Sequence, residues 1–196
     1  MEDESVAREK KIIAILNEEI EDGADLAAEA RRMVEYLLLE KKGYAREEVR
    51  KNVVFDVVLD KERLTSSVDF LVTVEGKKAM IIKCAAGSLA SRERQALAAA
   101  RLIGDPPVPI AVVADPETAE VLDAGTGEVI GEGFGAIPTR DQIAGLLSER
   151  RPVTLSPVRI EREKRILLAF DAIRCSVPRG ADGGVRIGPE PGKDKC

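Results

Sequence analysis

The first forty residues carry apolar side chains at helical spacing. Ile13, Leu16 and Ile20 form one stripe that stops at Gly23. A second stripe of Leu26, Ala30, Met33 and Leu37, widened by Val34 and Leu38, begins after Asp25, a good N-cap residue, and stops at Gly43. The pattern predicts amphipathic helices over residues 5–22 and 25–42, both packed on a sheet. Beyond Gly43 the pattern changes to short apolar runs. Residues 52–59, 68–74 and 79–85 are mostly rich in β-branched side chains, which predicts three strands, the last two joined by a tight Glu75-Gly76-Lys77 turn.

An Ala-rich helix is expected over residues 89–103, closed by the Gly104-Asp105-Pro106-Pro107 break. Residues 108–114 are apolar on both faces, as in a covered parallel strand, so the strand-helix-strand unit around this helix should be a right-handed crossover. Ala124-Gly125-Thr126-Gly127 between residues 120–123 and 128–131 signals a hairpin, and Thr139 offers an N-cap to a helix running through Leu147. Ile166, Phe170 and Ile173 lie in register on a helix over residues 159–175 whose opposite face is charged. From Val177 glycine and proline dominate, and a disordered tail is expected. The organisation is therefore an N-terminal helix (1–24), an α/β core (25–150), a C-terminal helix (151–176) and a tail (177–196), with no internal repeat.

The chain has 196 residues, 44% of them apolar, which suits one domain with extensions. A net charge of -5 excludes a globally basic nucleic-acid binder, so any contact with DNA or RNA must be local, of modest affinity and salt-sensitive. The absence of histidine removes Ser-His and Cys-His catalysis, His-ligated zinc and imidazole switches. Cys84, Cys175 and Cys196 lack metal-ligand spacing, and the chain opens on Glu-Asp-Glu instead of a basic and apolar leader, which points to a reducing, cytoplasmic setting. The apolar runs are too short for a membrane span. No Walker, Rossmann or zinc motif is present, and Gly125-x-Gly127 is a hairpin cue instead of a phosphate loop.

Glu29, Gly43-Tyr44, Asp69, the triplet Lys83-Cys84-Ala85, Gln95, the stretch after Val108 and Ile137-Pro138 stand in an order that resembles the N-terminal domain of type I restriction enzyme R subunits, within the PD-(D/E)XK nuclease superfamily. The resemblance covers residues 25–147 and implies a restriction-endonuclease-like mixed β-sheet flanked by helices. In active relatives an aspartate and a glutamate hold divalent metal while a lysine assists the attacking water. The resemblance places a degenerate catalytic set at Glu29, Asp69, Lys83 and Gln95. Lysine stands at 83 where the family has glutamate, alanine at 85 where it has the catalytic lysine, and Ala99 where an aromatic usually follows Gln95.

A three-residue β-turn would set Asp69 opposite Lys83, with Cβ atoms about 4.5–5.5 Å apart, so that the ammonium takes the electrostatic place of the metal. A two-residue turn would set Asp69 opposite Cys84 instead. The plain alternative is a strand-end ion pair worth about 0–1 kcal/mol if exposed. Glu29 reads equally as a solvated helical carboxylate, and Glu93 could restore a lost carboxylate from the following helix. Arg92, Arg94 and Arg101 form a candidate phosphate-contacting set or, individually, a solvated basic face. Cys84 reads as a small hydrophobe, with Lys83 beside it as a reason for a lowered thiol pKa.

The reading is a nuclease-fold protein without cleavage activity, acting as a nucleic-acid-binding or assembly module that needs no cofactor and contacts DNA or RNA. The alternatives are an active, Mg²⁺-dependent endonuclease using Asp69, Glu29 and Glu93, and a scaffold that docks a protein partner through the helix over 159–175. Without motor motifs this chain cannot itself be the translocating part of a restriction enzyme.

Overall fold

The computed structural model describes residues 26–59, 62–86, 88–150 and 152–175. The expected helix over 5–22 and the tail from Val177 lie outside the described residues. Six strands form one sheet: β1 (Val49–Leu59), β2 (Glu62–Val74), β3 (Lys77–Cys84), β4 (Ile110–Ala114), β5 (Ala119–Asp123) and β6 (Val129–Glu132), lying side by side in chain order. All neighbours are antiparallel except β3 and β4, whose parallel pairing runs from Met80↔Ile110 to Cys84↔Ala114. A parallel pair cannot be closed by a tight turn. The helix α2 (Ala90–Leu102) makes the crossover. The mixed β-sheet that the resemblance implies is thus present, with the parallel crossover expected from the apolar runs.

Helices cover both faces. A helix over residues 26–36 (α1), continued by a π turn at Leu37–Lys41, and α3 (Arg140–Glu149) pack on one side with Phe70, Met80, Ile82 and Val112. On the other side α2 and α4 (Pro157–Cys175) pack with Leu71, Ile81, Ala111 and Val113. Successive strand residues such as Ile81 and Ile82 enter different cores, as strand alternation requires. Both faces of β4 are covered, and all five of its residues are buried. Ala96 to Ala100 of α2 are buried all round because α2 lies between the sheet and α4. On α4, Leu167 is only 2% exposed and Ile166 packs partly buried beside it against the α2 core.

Two expectations change. The stripe of α1 that meets the sheet is Ala30, Val34 and Leu38, while Leu26 and Met33 are 43% and 42% exposed. Both stripes have helical spacing, so period alone did not choose between them. β2 also begins earlier than residue 68, at Glu62, as one arm of a long hairpin with β1. In this outer part Val54 and Val58 are exposed while Val57 and Leu59 are buried, so its polar Thr65, Ser66 and Ser67 carried no apolar signal.

The Gly43-Tyr44 and Ile137-Pro138 pairs form a clasp. Gly43 has φ +78°, where L side chains are strained, and it lets the chain leave α1 so that the Tyr44 hydroxyl donates to the Pro138 carbonyl at 3.0 Å. Thr139 caps α3 as expected, in a reciprocal box with Gln142. Near the β6 edge, a Cβ added to Gly131 would stand 2.7 Å from the Cβ of Ala136. Gly131→Ala is therefore expected to cost about 1–3 kcal/mol of stability, checked by urea denaturation, whereas Gly135→Ala, with open space around it, should overpack nothing.

Candidate functional site

The β2–β3 turn has two residues, Glu75 and Gly76, and pairing resumes at Val74↔Lys77. A one-residue shift between Val72 and Thr73 then moves the ladder to Val72↔Met80 and Phe70↔Ile82. Continued one step, this register sets Asp69 across from Lys83. The short turn and the register expected of the longer one occur together, because the bulge supplies the missing residue.

The two side chains nevertheless reach different partners. Asp69 accepts from Arg31 Nε at 2.7 Å through Oδ1 and from the Cys84 N–H at 2.8 Å through Oδ2. Lys83, only 4% exposed, donates to the Ser67 carbonyl at 2.8 Å. The ammonium of Lys83 was expected to stand beside the Asp69 carboxylate. The direct contact belongs to Arg31, whose place one position after the buried Ala30 lets its guanidinium reach over the strand end. Lys83 alternates with Ile82 and Cys84, which belong to the α1 core, and so turns toward the α2 side.

The other expected residues are spread around this point. Glu29 is exposed on α1, two residues before Arg31. Gln95 is fully buried on α2. Ala85 is buried in the α2 core, its N–H donating to the Ala114 carbonyl at 2.8 Å. The Cys84 thiol is not activated. Burial pushes its pKa up and the Asp69 charge adds to this, outweighing Arg31 and Lys83. The lowered thiol suggested by the flanking lysine is therefore corrected, and Cys84 is a small core hydrophobe.

These residues do not fit a divalent metal. Both Asp69 oxygens already accept hydrogen bonds, the neighbouring position offers an ammonium, and among the described residues no group of three or more Cys, Asp or Glu is placed to hold an ion. Glu93 meets Glu120 of β5 instead of joining Asp69. The Glu120 carboxyl is raised above the usual glutamate value, first by burial, then by the charge and hydrogen bond of Glu93 and the charges of Glu132 and Asp115. A raised carboxyl stabilises the fold below its unfolded value and loses that contribution as pH rises through the folded one. Glu120→Gln is therefore expected to stabilise the protein at neutral pH and to have little effect at pH values below the ordinary glutamate range, as read from melting curves across pH.

Of the three arginines, Arg94 and Arg101 approach the same carboxylate, Glu163, at 4.0 and 2.8 Å. Arg92 points away from the face that Arg94 and Arg101 share, given the helical repeat. The Arg101 side chain is 2% exposed and pairs with Glu163 of α4 at 2.8 Å, while its Nε donates to the Ala124 carbonyl at 2.7 Å. Ala124 in turn donates to the Pro109 carbonyl, at the end of the sheet opposite Cys84. Arg101 is thus an interior residue, remote from Asp69 and on the other side of the sheet, and its assignment to an exposed phosphate-contacting face is corrected. An arginine in the same buried stripe as Leu97, four residues earlier, was the available signal.

No match was found among curated proteins or among solved structures. A family model described as type I restriction enzyme R protein N terminus matches residues 28–138, more than half of the chain, from within α1 to just before α3. It includes Asp69, the Lys83-Cys84-Ala85 triplet, Gln95 and both halves of the Tyr44–Pro138 clasp, and the chain belongs to the family of type I restriction enzyme R protein N termini.

Proposed function

We propose that this nuclease-like domain lacks a working cleavage centre and serves as a nucleic-acid-binding or assembly module. The observation that carries the reading is the state of Asp69. The one carboxylate left at the strand end is held by Arg31 and by the Cys84 N–H, with lysine and alanine at the two further positions that would complete the chemistry. A guanidinium at 2.7 Å supplies the positive charge that a metal would otherwise bring, but it has no open coordination position at which a bound water could become hydroxide.

The test is cleavage of plasmid and oligonucleotide DNA and of RNA with Mg²⁺ or Mn²⁺, paired with binding at two salt concentrations. No cleavage is expected, and binding should be measurable at low salt and weaken as salt rises. Millimolar Mg²⁺ is expected to leave the melting temperature unchanged, because a ligand stabilises only a state that binds it. A clear rise abolished by Asp69→Asn, or cleavage abolished by the same change, would establish the active endonuclease instead. Absence of nucleic-acid binding at low salt, together with a co-purifying protein lost on charge reversal along the exposed side of α4, would favour the scaffold.

A further inference from the structure

At the end of the sheet remote from Asp69, four connections enclose a cavity of about 500 Å³: the β2–β3 turn, the α2–β4 connection, the β5–β6 turn and the linker between α3 and α4. That size lies within the range of small-molecule sites. Its floor is the buried Val108, Ala124 and Leu155, and the half-buried Leu147 and Val153 line the same space. A side chain at Gly125 would intrude, since its Cβ would stand 3.4 Å from Val153 Cγ2 and 3.0 Å from Arg150 Nη2. Pro106, Pro107, Pro109 and Pro152 add wall that carries no N–H.

The side chains that can answer a ligand here are mainly donors, and two of them are held in place. Arg150 Nη2 lies 2.6 Å from both oxygens of Asp123, which leaves Nε and Nη1 uncommitted among the described residues. Lys78 donates one of its three ammonium N–H groups to the Ile103 carbonyl at 2.7 Å. Three cations, Lys77, Lys78 and Arg150, stand against two carboxylates, Asp105 and the Asp123 that holds Arg150, which leaves one positive charge. A neutral apolar molecule would suit the floor and leave that charge unanswered. A phosphate or a dicarboxylate would exceed the charge and gain nothing from the floor. One carboxylate on an apolar body meets both conditions. We infer that this cavity binds a small monocarboxylate with an aromatic or branched apolar body, the carboxylate at the lysine rim and the body on Val108, Leu147 and Val153. The site lies at the other end of the sheet from Asp69, so the inference does not depend on whether that centre cleaves.

Naphthoate is the probe, with naphthamide as its neutral isostere and acetate as the head group alone, each titrated into the full chain at low salt by calorimetry and methyl NMR. Naphthoate is expected to bind at least about tenfold more tightly than naphthamide, since hydrogen bonds to a charged group are the stronger ones. Acetate, which buries almost no apolar surface, should give no measurable binding. Bound naphthoate should move the methyl resonances of Val108, Leu147 and Val153 and leave those of Val54 and Val58, exposed on the β1–β2 arm, in place. In Lys77→Gln with Lys78→Gln the preference for the acid over the amide should disappear while the naphthamide affinity holds, a readout that reports the charge and confirms that the cavity is still formed. Equal affinity for acid and amide in the wild type, no binding of naphthoate, methyl shifts away from the cavity, or a preference for the acid that survives in the lysine variant would overturn the inference.

Discussion

Arg101→Met is expected to cost about 3–5 kcal/mol, a large share of the stability of a domain this size. Both side chains of the Arg101–Glu163 pair are 2% exposed, and burial works against the charged form of Arg101 while the Glu163 carboxylate supports it. With the arginine gone, Glu163 would keep only Arg159 at 3.8 Å and Arg94 at 4.0 Å, both partly solvated and neither within hydrogen-bond distance. The carboxylate would then sit buried beneath α4 with its desolvation uncompensated. Removing both partners together, Arg101→Met with Glu163→Leu, should recover much of the loss, because the penalty lies in the orphaned charge more than in the missing attraction. Urea denaturation of the wild type, both single variants and the double variant forms a cycle that isolates this coupling. The partly exposed pairs Arg140–Glu48 and Arg150–Asp123 are the contrast. Burial alone would raise Asp123, but hydrogen bonds from Arg150, Thr126 and Gly125 hold it below the usual range, so its support persists at neutral pH and disappears only as pH falls through that lowered value. A cost within about 0.5 kcal/mol for Arg101→Met would mean that water reaches the pair and that α4 is not seated as described.

Which parts of this architecture could be read in advance follows from how local their causes are. The continuous apolar run ending at Ala114 announced a covered strand, and Thr139 announced a helix start, because strand burial and capping act over a few neighbouring residues. The rotation of α1 was not legible, since two stripes shared its spacing and only the shape of the sheet chose Ala30, Val34 and Leu38. Nor was the bulge at Val72/Thr73, where no glycine or proline marks the extra residue. Asp69 stood out as a lone carboxylate in an apolar strand, and such a group needs a donor. The residue that supplies it, Arg31, stands beside Arg32 on a helix whose rotation the apolar pattern left open, so nothing in the sequence marked it out. Pairing across 38 positions is tertiary information, and it decides the chemistry here.

Lys83→Glu is expected to destabilise the protein by at least about 2–3 kcal/mol, because it replaces a buried donor by an acceptor facing the Ser67 carbonyl and brings a second carboxylate close to Asp69. This one change introduces the acidic residue that the resemblance places at position 83, so the metal response of the variant tests what, on the function proposed above, keeps metal from the site. If the lysine alone were responsible, Mg²⁺ would recover the lost stability in Lys83→Glu. The contact of Arg31 with Asp69 at 2.7 Å predicts otherwise. One ligand oxygen is already taken by a fixed guanidinium, so neither Lys83→Glu nor its combination with Ala85→Lys should respond to the cation. Adding Arg31→Ala to the pair of changes should open Asp69, and Mg²⁺ should then raise stability by about 1.4 kcal/mol at ten times its dissociation constant. Melting curves of the series with and without Mg²⁺ decide between the two accounts. Recovery in Lys83→Glu alone would show that Arg31 yields readily to a cation and that a single substitution separates this domain from a metal-binding one. An unchanged melting temperature in that variant without metal would show instead that position 83 is open to water.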